Sequence, residues 1–181
     1  RSVEYAETCS GINAFAMGAQ AVNPEAKVYV NKISTWGDEA KERQAAINLI
    51  DTYNCGVIGQ HCDSAQPQIA AQEKGVFGCG YNSDMTVQAP EAHLTAPIWN
   101  WDVYYKLAIE TAMNTPSEFM SKVGIYYGGL KEGLVDISPL SDNCAEGTQE
   151  IIDTVKEMMA NGEWDVFTNV KLSIAQDGTI T

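Results

Sequence analysis

Short apolar runs rich in β-branched residues alternate with longer stretches of helical periodicity, and this alternation restricts the chain more than any other feature. Residues 27–33, 56–60, 76–81 and 93–98 read as strands. Before the first, residues 10–22 carry Ile12, Phe15, Ala16, Ala19 and Val22 on one helical face and stop at Asn23-Pro24. Residues 38–53 form a second helical stretch, with Asp38 and Glu39 at its amino end and Ala40, Ala46, Ile47 and Ile50 along one side. Ser64 opens a third that Gly75 ends, and residues 102–114 form a fourth. Strand–helix alternation demands right-handed crossovers, so it predicts an α/β fold whose mainly parallel sheet is covered by helices on both faces.

Past residue 114 the pattern changes. Residues 122–127 and 134–138 flank Gly128-Gly129 and predict a hairpin or bent strand pair. Residues 143–161 predict a long helix with Ile151, Ile152, Val155, Met158 and Met159 toward the core, and residues 166–174 a last strand. No linker, low-complexity tract or repeat divides residues 1–181, which read as a single α/β domain. The chain opens on Arg1-Ser2-Val3-Glu4 and stops on an Asp177-Gly178 turn, which reads as a piece of a longer protein.

Composition excludes several classes of function. The net charge of −13 repels polyanions, so nucleic acid is not an expected partner. No apolar run reaches the roughly 20 residues of a membrane span. Five cysteines include no CxxC pair, and His61 and His93 are not at metal-ligand spacing, so no metal is expected. Cys55 and Cys62 stand about 20 Å apart at opposite ends of one strand, too far for a disulfide. Cys62 and Cys79 end neighbouring strands; free, buried thiols are the simpler reading. Phosphate loops, dinucleotide fingerprints and nucleophile elbows are absent, so neither cofactor nor catalytic residue is expected.

In an open parallel sheet, ligands bind beyond the carboxyl ends of the strands. The segments there are residues 34–38 with Trp36, residues 61–64 with Cys62, Asp63 and Ser64, residues 82–84 with Asp84, and residues 99–102 with Trp99, Asn100 and Trp101. Aromatic faces, carboxylates and hydroxyls suit a small, flat ligand bearing hydroxyl or amine groups. Trp36 is placed either to pack over a helix end or to stack on a ligand. Asp63-Ser64 is most simply a helix cap, and His61 a structural residue. Asp84 precedes no clear helix and is free to accept hydrogen bonds from a ligand. Trp99 and Trp101 alternate, so one is expected to face the cleft and the other the core.

The same loops carry a resemblance. Residues 11–24 (GINAFAMGAQAVNP) resemble the signature helix of the basic membrane protein family, lipid-anchored solute-binding proteins of ABC importers. The likeness continues in order through Trp36-Gly37-Asp38-Glu39-Ala40-Lys41-Glu42, residues 60–64, residues 80–85, residues 93–101, residues 127–133 and residues 162–167. It implies one Rossmann-like lobe, the second, of a two-lobed type I periplasmic-binding-protein fold. It further implies a purine nucleoside or base as solute, ABC permease subunits as partners and no enzyme activity. The place is extracytoplasmic, with membrane attachment only through a lipid anchor outside this chain. Trp36 takes the position of the base-stacking aromatic, Asp84 that of the ribose-binding carboxylate, and Cys62 and Asp63 line the cleft floor. Trp99 stands where nucleoside-binding members often carry Lys; this removes a cationic donor, adds an apolar wall and points toward a free purine base or a different solute altogether. Trp36, Asp84, Trp99, Asp63, Cys62, Ser64 and Asn100 form the candidate ligand set. A ligand-sensing domain of a regulator with the same fold is the alternative.

Overall fold

The computed structural model describes residues 5–168 and 171–181. In chain order the elements are α1 (Ala6–Val22), α2 (Glu39–Tyr53), β1 (Val57–Gly59), α3 (Gln66–Glu73), β2 (Phe77–Cys79), β3 (Pro97–Trp99), α4 (Trp101–Asn114), α5 (Phe119–Lys122), β4 (Val135–Ile137) and α6 (Thr148–Ala160). β1 and β2 pair in parallel, Ile58 opposite Gly78. On the other side of β2 the Leu94 N–H donates to the Gly78 carbonyl (2.8 Å) and the Gly80 N–H to that of Thr95 (3.0 Å). Parallel bridges Gly78–His93 and Asn82–Ile98 carry this pairing into β3, and β4 closes the edge antiparallel, Ile98 opposite Asp136. The mixed α/β architecture with parallel pairing is the one the alternation predicts.

Alanines set how closely the layers approach. Ala46 of α2, Ala70 and Ala71 of α3, and Ala89 and Ala92 of the loop after β2 pack around Ile58, with Ile47, Leu49, Ile50 and Val76 at the margin. Small side chains let α2 and α3 lie close together over the sheet. Gln68 of α3 enters the sheet itself, fully buried, and Gly78 makes the room: a Cβ there would lie 2.1 Å from Gln68 Oε1. Asp38 caps α2 by accepting from the Lys41 N–H (3.1 Å), and Asn54, left-handed at φ 54°, ends it.

Several expectations are corrected. Residues 27–33 form no strand; Val28, Tyr29 and Val30 remain exposed, and a groove of about 780 Å³ separates them from β1. β-branched residues favour extended backbone but supply no ladder partner. Here Tyr29 stacks on Tyr53 at the end of α2, centroids 4.5 Å apart, and the segment stays off the sheet. Residues 122–127 are not a strand either: α5 ends at Lys122 and a bend follows. β4 therefore pairs with β3 rather than in the expected hairpin, after a compact turn in which the Gly129 carbonyl accepts from the Leu134 N–H (3.1 Å). The helix expected over 143–161 begins at Thr148, and its apolar side is half-buried rather than core. Of the last expected strand, residues 169–170 lie outside the described residues and 166–168 form a turn, while Ile174 bridges Ile180 around the Asp177-Gly178 turn.

Candidate functional site

The Trp36 segment and the loops that follow β1 and β2 converge with the end of β3 on one rim, joined by ring contacts. The segment containing Trp36 is bound to the next loop through the Asp63 N–H, which donates to the Trp36 carbonyl (2.9 Å). The half-buried Trp36 indole stands between Tyr5, stacked at 6.5 Å and 12°, and His61, tilted at 6.1 Å. His61 then meets Tyr81 at 4.4 Å. One residue further on, Asn82 adopts φ 59°, a conformation its short amide side chain tolerates, and its Oδ1 accepts from the Trp99 indole N–H (2.8 Å). Trp36, His61, Tyr81 and Asn82 thus run across three successive loops to Trp99 at the end of β3.

Asp84 lies in the same loop as Asn82, with its side chain 46% exposed. Its Oδ1 accepts from both the Thr86 N–H (2.9 Å) and the Thr86 hydroxyl (2.6 Å), which holds the carboxyl below its ordinary pKa. Both lone pairs of Oδ1 are used within the loop. Behind it lies His93, fully buried, with Nε2 3.5 Å from Oδ1. Burial pushes the His93 imidazole below its usual value more strongly than Asp84 raises it, so at neutral pH the contact is between a carboxylate and a neutral ring.

The floor is built from polar atoms. Gln60 Nε2 donates to the carbonyls of Cys62 (2.9 Å) and Ser64 (2.7 Å), and Gln68 Nε2 donates to Gln60 Oε1 (3.0 Å) and the Cys79 carbonyl (2.9 Å). Cys62 is buried, its thiol pushed up to about 12 by desolvation and by Glu42, so it is an apolar wall and no nucleophile. None of the five cysteines is joined in a disulfide among the described residues. Asp63 is exposed. The Ser64 hydroxyl donates to Glu42 and accepts from the Gln66 N–H (3.3 Å), but the N-cap of α3 is Ala65, with no side-chain cap, so the capping expected of Asp63-Ser64 is corrected. Asn100 precedes α4 and donates from Nδ2 to the Gly133 carbonyl (2.9 Å), away from the Trp36 rim.

The expectation for the second tryptophan is corrected. Trp99 and Trp101 are both exposed, 42% and 50%, and stack on each other at 5.5 Å. Alternation does not apply, because the chain passes from strand to helix at Asn100. Sequence reasoning placed Asn82 in the segment with Asp84 without giving it a role, and missed Tyr81 as a rim residue and Glu42 beneath it; the position of Tyr81 directly before that segment was the signal available. Among the described residues no group of three or more His, Cys, Asp or Glu side chains is arranged to hold a metal, and no helix is long and apolar enough to cross a membrane.

A one-lobe α/β platform with an aromatic and carboxylate rim at the carboxyl ends of its strands is the form of a solute-binding protein of the periplasmic-binding type. A family model described as ABC transporter substrate-binding protein, PnrA-like, matches residues 2–166, and the chain belongs to that family, as the sequence resemblance implied. A purine-binding protein of Brucella abortus (strain 2308) is 35% identical over 167 residues, which are 92% of this chain and 46% of that protein. A putative ABC transporter glucose-binding protein of Haloferax volcanii is 33% identical over 161 residues, 89% of this chain and 40% of the other. The chain spans about half the length of the curated relatives it matches. Among solved structures, an ABC transporter solute-binding protein from Conexibacter woesei superposes with a TM-score of 0.66 at 18% identity, covering 84% of this chain and 50% of the other. A transcriptional activator of the comK gene from Bacillus halodurans gives 0.71 at 16% identity, covering 90% and 55%. Both likenesses show the fold alone.

Proposed function

We propose that this chain is one lobe, the second, of a two-lobed solute-binding protein that closes on a purine base or nucleoside and presents it to an ABC permease outside the cytoplasm. The observation that carries the reading is the aromatic rim from Trp36 to Trp99 with the Asp84 carboxylate beside it. Trp36 offers a flat face for stacking. Asp84 offers Oδ2 to an N–H or O–H of the ligand. Trp99 spends its indole N–H on Asn82 and presents a wall without the cation that would meet ribose oxygens. A free base therefore fits this rim better than a nucleoside. The net charge of −13 also disfavours phosphorylated ligands. The purine-binding relative supports the same class, and the glucose-binding one makes a hexose the competing solute. Membrane attachment through a lipid anchor outside this chain completes the proposal.

Isothermal titration of the two-lobed protein with adenine, hypoxanthine, guanosine and glucose tests it. Binding of a purine that is lost in both Trp36→Ala and Asp84→Ala supports the reading. Binding of glucose alone, or purine binding unaffected in both variants, overturns it.

A further inference from the structure

Glu42 is a carboxylate of α2 with 1% of its surface exposed, and among the described residues no cation pairs with it. A buried carboxyl group of this kind needs hydrogen bonds in place of its lost water. Oε1 accepts from the Asp38 N–H (2.9 Å), in the loop two residues past Trp36. Oε2 accepts from the Ser64 N–H (3.2 Å) and from the Ser64 hydroxyl. Its position in the first turns of α2 adds the favourable field of the helix amino end. The two carboxylate oxygens therefore serve two different loops: the Trp36 segment on one side and the floor residues 62–64 on the other. The backbone bond from Asp63 N–H to the Trp36 carbonyl runs beside this clamp, and Gln60 holds the same floor from below.

We propose that Glu42 is a positioning residue of the ligand site, whose buried carboxylate locks the Trp36 loop and the Cys62–Ser64 floor into one pre-ordered unit. An isolated structural anchor needs one partner loop; this carboxylate divides its oxygens between the loop that carries the stacking ring and the loop that forms the floor. Without it, a ligand has to order the Trp36 loop on binding, at a cost near tenfold in affinity for each residue ordered. The inference rests on the site proposed above, and its test separates the two.

The test uses the two-lobed protein, with adenine as probe. Glu42→Gln keeps the shape but turns one acceptor oxygen into a donor facing N–H groups. It is expected to weaken adenine binding about tenfold in calorimetry while the protein remains folded at the assay temperature. In the ligand-free protein, acrylamide quenching of Trp36 emission, isolated by difference against Trp36→Phe, is expected to rise about twofold. Ser64→Ala, which removes one donor, shifts both readouts the same way by less, and the double variant is no worse than Glu42→Gln alone. Unchanged affinity and quenching in Glu42→Gln, with only a lower melting temperature, makes Glu42 merely structural and overturns the proposal. If the wild-type protein binds none of adenine, hypoxanthine and guanosine, the purine reading fails, while the quenching comparison still decides the role of Glu42. If Glu42→Gln does not fold, Ser64→Ala decides by the same two readouts, and no change in either sinks the idea.

Discussion

Replacing Asp84 by Asn separates the two oxygens of its carboxylate. Oδ1 is engaged by Thr86 at 2.9 and 2.6 Å and faces His93 at 3.5 Å; an amide oxygen in its place keeps both Thr86 bonds and the shape of the loop. The change falls on Oδ2, where an acceptor becomes an NH₂ donor and the charge disappears. A ligand N–H that met a carboxylate now meets a donor. Hydrogen bonds to charged groups are worth about 1.5–3 kcal/mol, so the loss predicts a ten- to roughly 150-fold weaker Kd for adenine. Because the loop contacts survive, the melting temperature is expected to move by no more than about 2 °C. Calorimetry and thermal unfolding of the two-lobed protein measure both. An affinity within threefold of wild type would refute the assignment of Oδ2 to the ligand. A collapse in stability accompanying the affinity loss would show that Asp84 matters through the loop instead.

Gln68→Leu removes donors from the Cys79 carbonyl and from Gln60, partly offset by deleting Gln68 Oε1, which has no hydrogen-bond partner among the described residues. About 1–3 kcal/mol of stability is expected to be lost, lowering the melting temperature by roughly 3–10 °C in calorimetric scans; an unchanged or raised value contradicts the account of the floor. His61 and His93 are both pushed below the ordinary value of about 6.5, first by burial, so the unfolded chain binds protons more readily than the folded one. Stability is therefore fully present above that value and declines as pH falls below it, and thermal unfolding between pH 7.5 and about 5 should show a smaller decline in His93→Gln. Asp84, depressed mainly by its Thr86 bonds, remains ionised until pH falls through its lowered folded value, so adenine affinity should stay level from neutral pH down to about 5. Cys62 and Cys79, pushed up to about 12 and about 11 by burial, should resist iodoacetamide in the native protein and react after denaturation, as peptide mass mapping would show.

Element type was legible where a periodic pattern met a cap. The stretch from Asp38 to Tyr53 has an acidic start, an apolar side and a left-handed Asn54 at its end, and it forms a helix with those boundaries. The loops at the strand ends were legible as one edge of the fold, because parallel pairing aligns the strands; that a ligand binds there is the proposal made above. Residues 27–33 were not legible as a segment off the sheet: their composition encodes extended backbone, and pairing depends on a neighbour that composition does not name. The reading of 122–127 as a strand failed because a helical turn and a buried Val123 compete for the same apolar residues.

By itself, the sequence determined the α/β class, the family, and the candidates Trp36, Asp84 and Trp99, since these rest on local periodicity and on motifs that lie together in the chain. Only the tertiary structure decided how they act as a surface. It brought His61 and Tyr81 between Trp36 and Trp99, gave the Trp99 N–H to Asn82, used up one oxygen of Asp84, and placed Glu42 under two loops separated by more than twenty residues. Those outcomes depend on distances across the fold, and in a close-packed interior a side chain's partners are set by which loops meet, which no local pattern records.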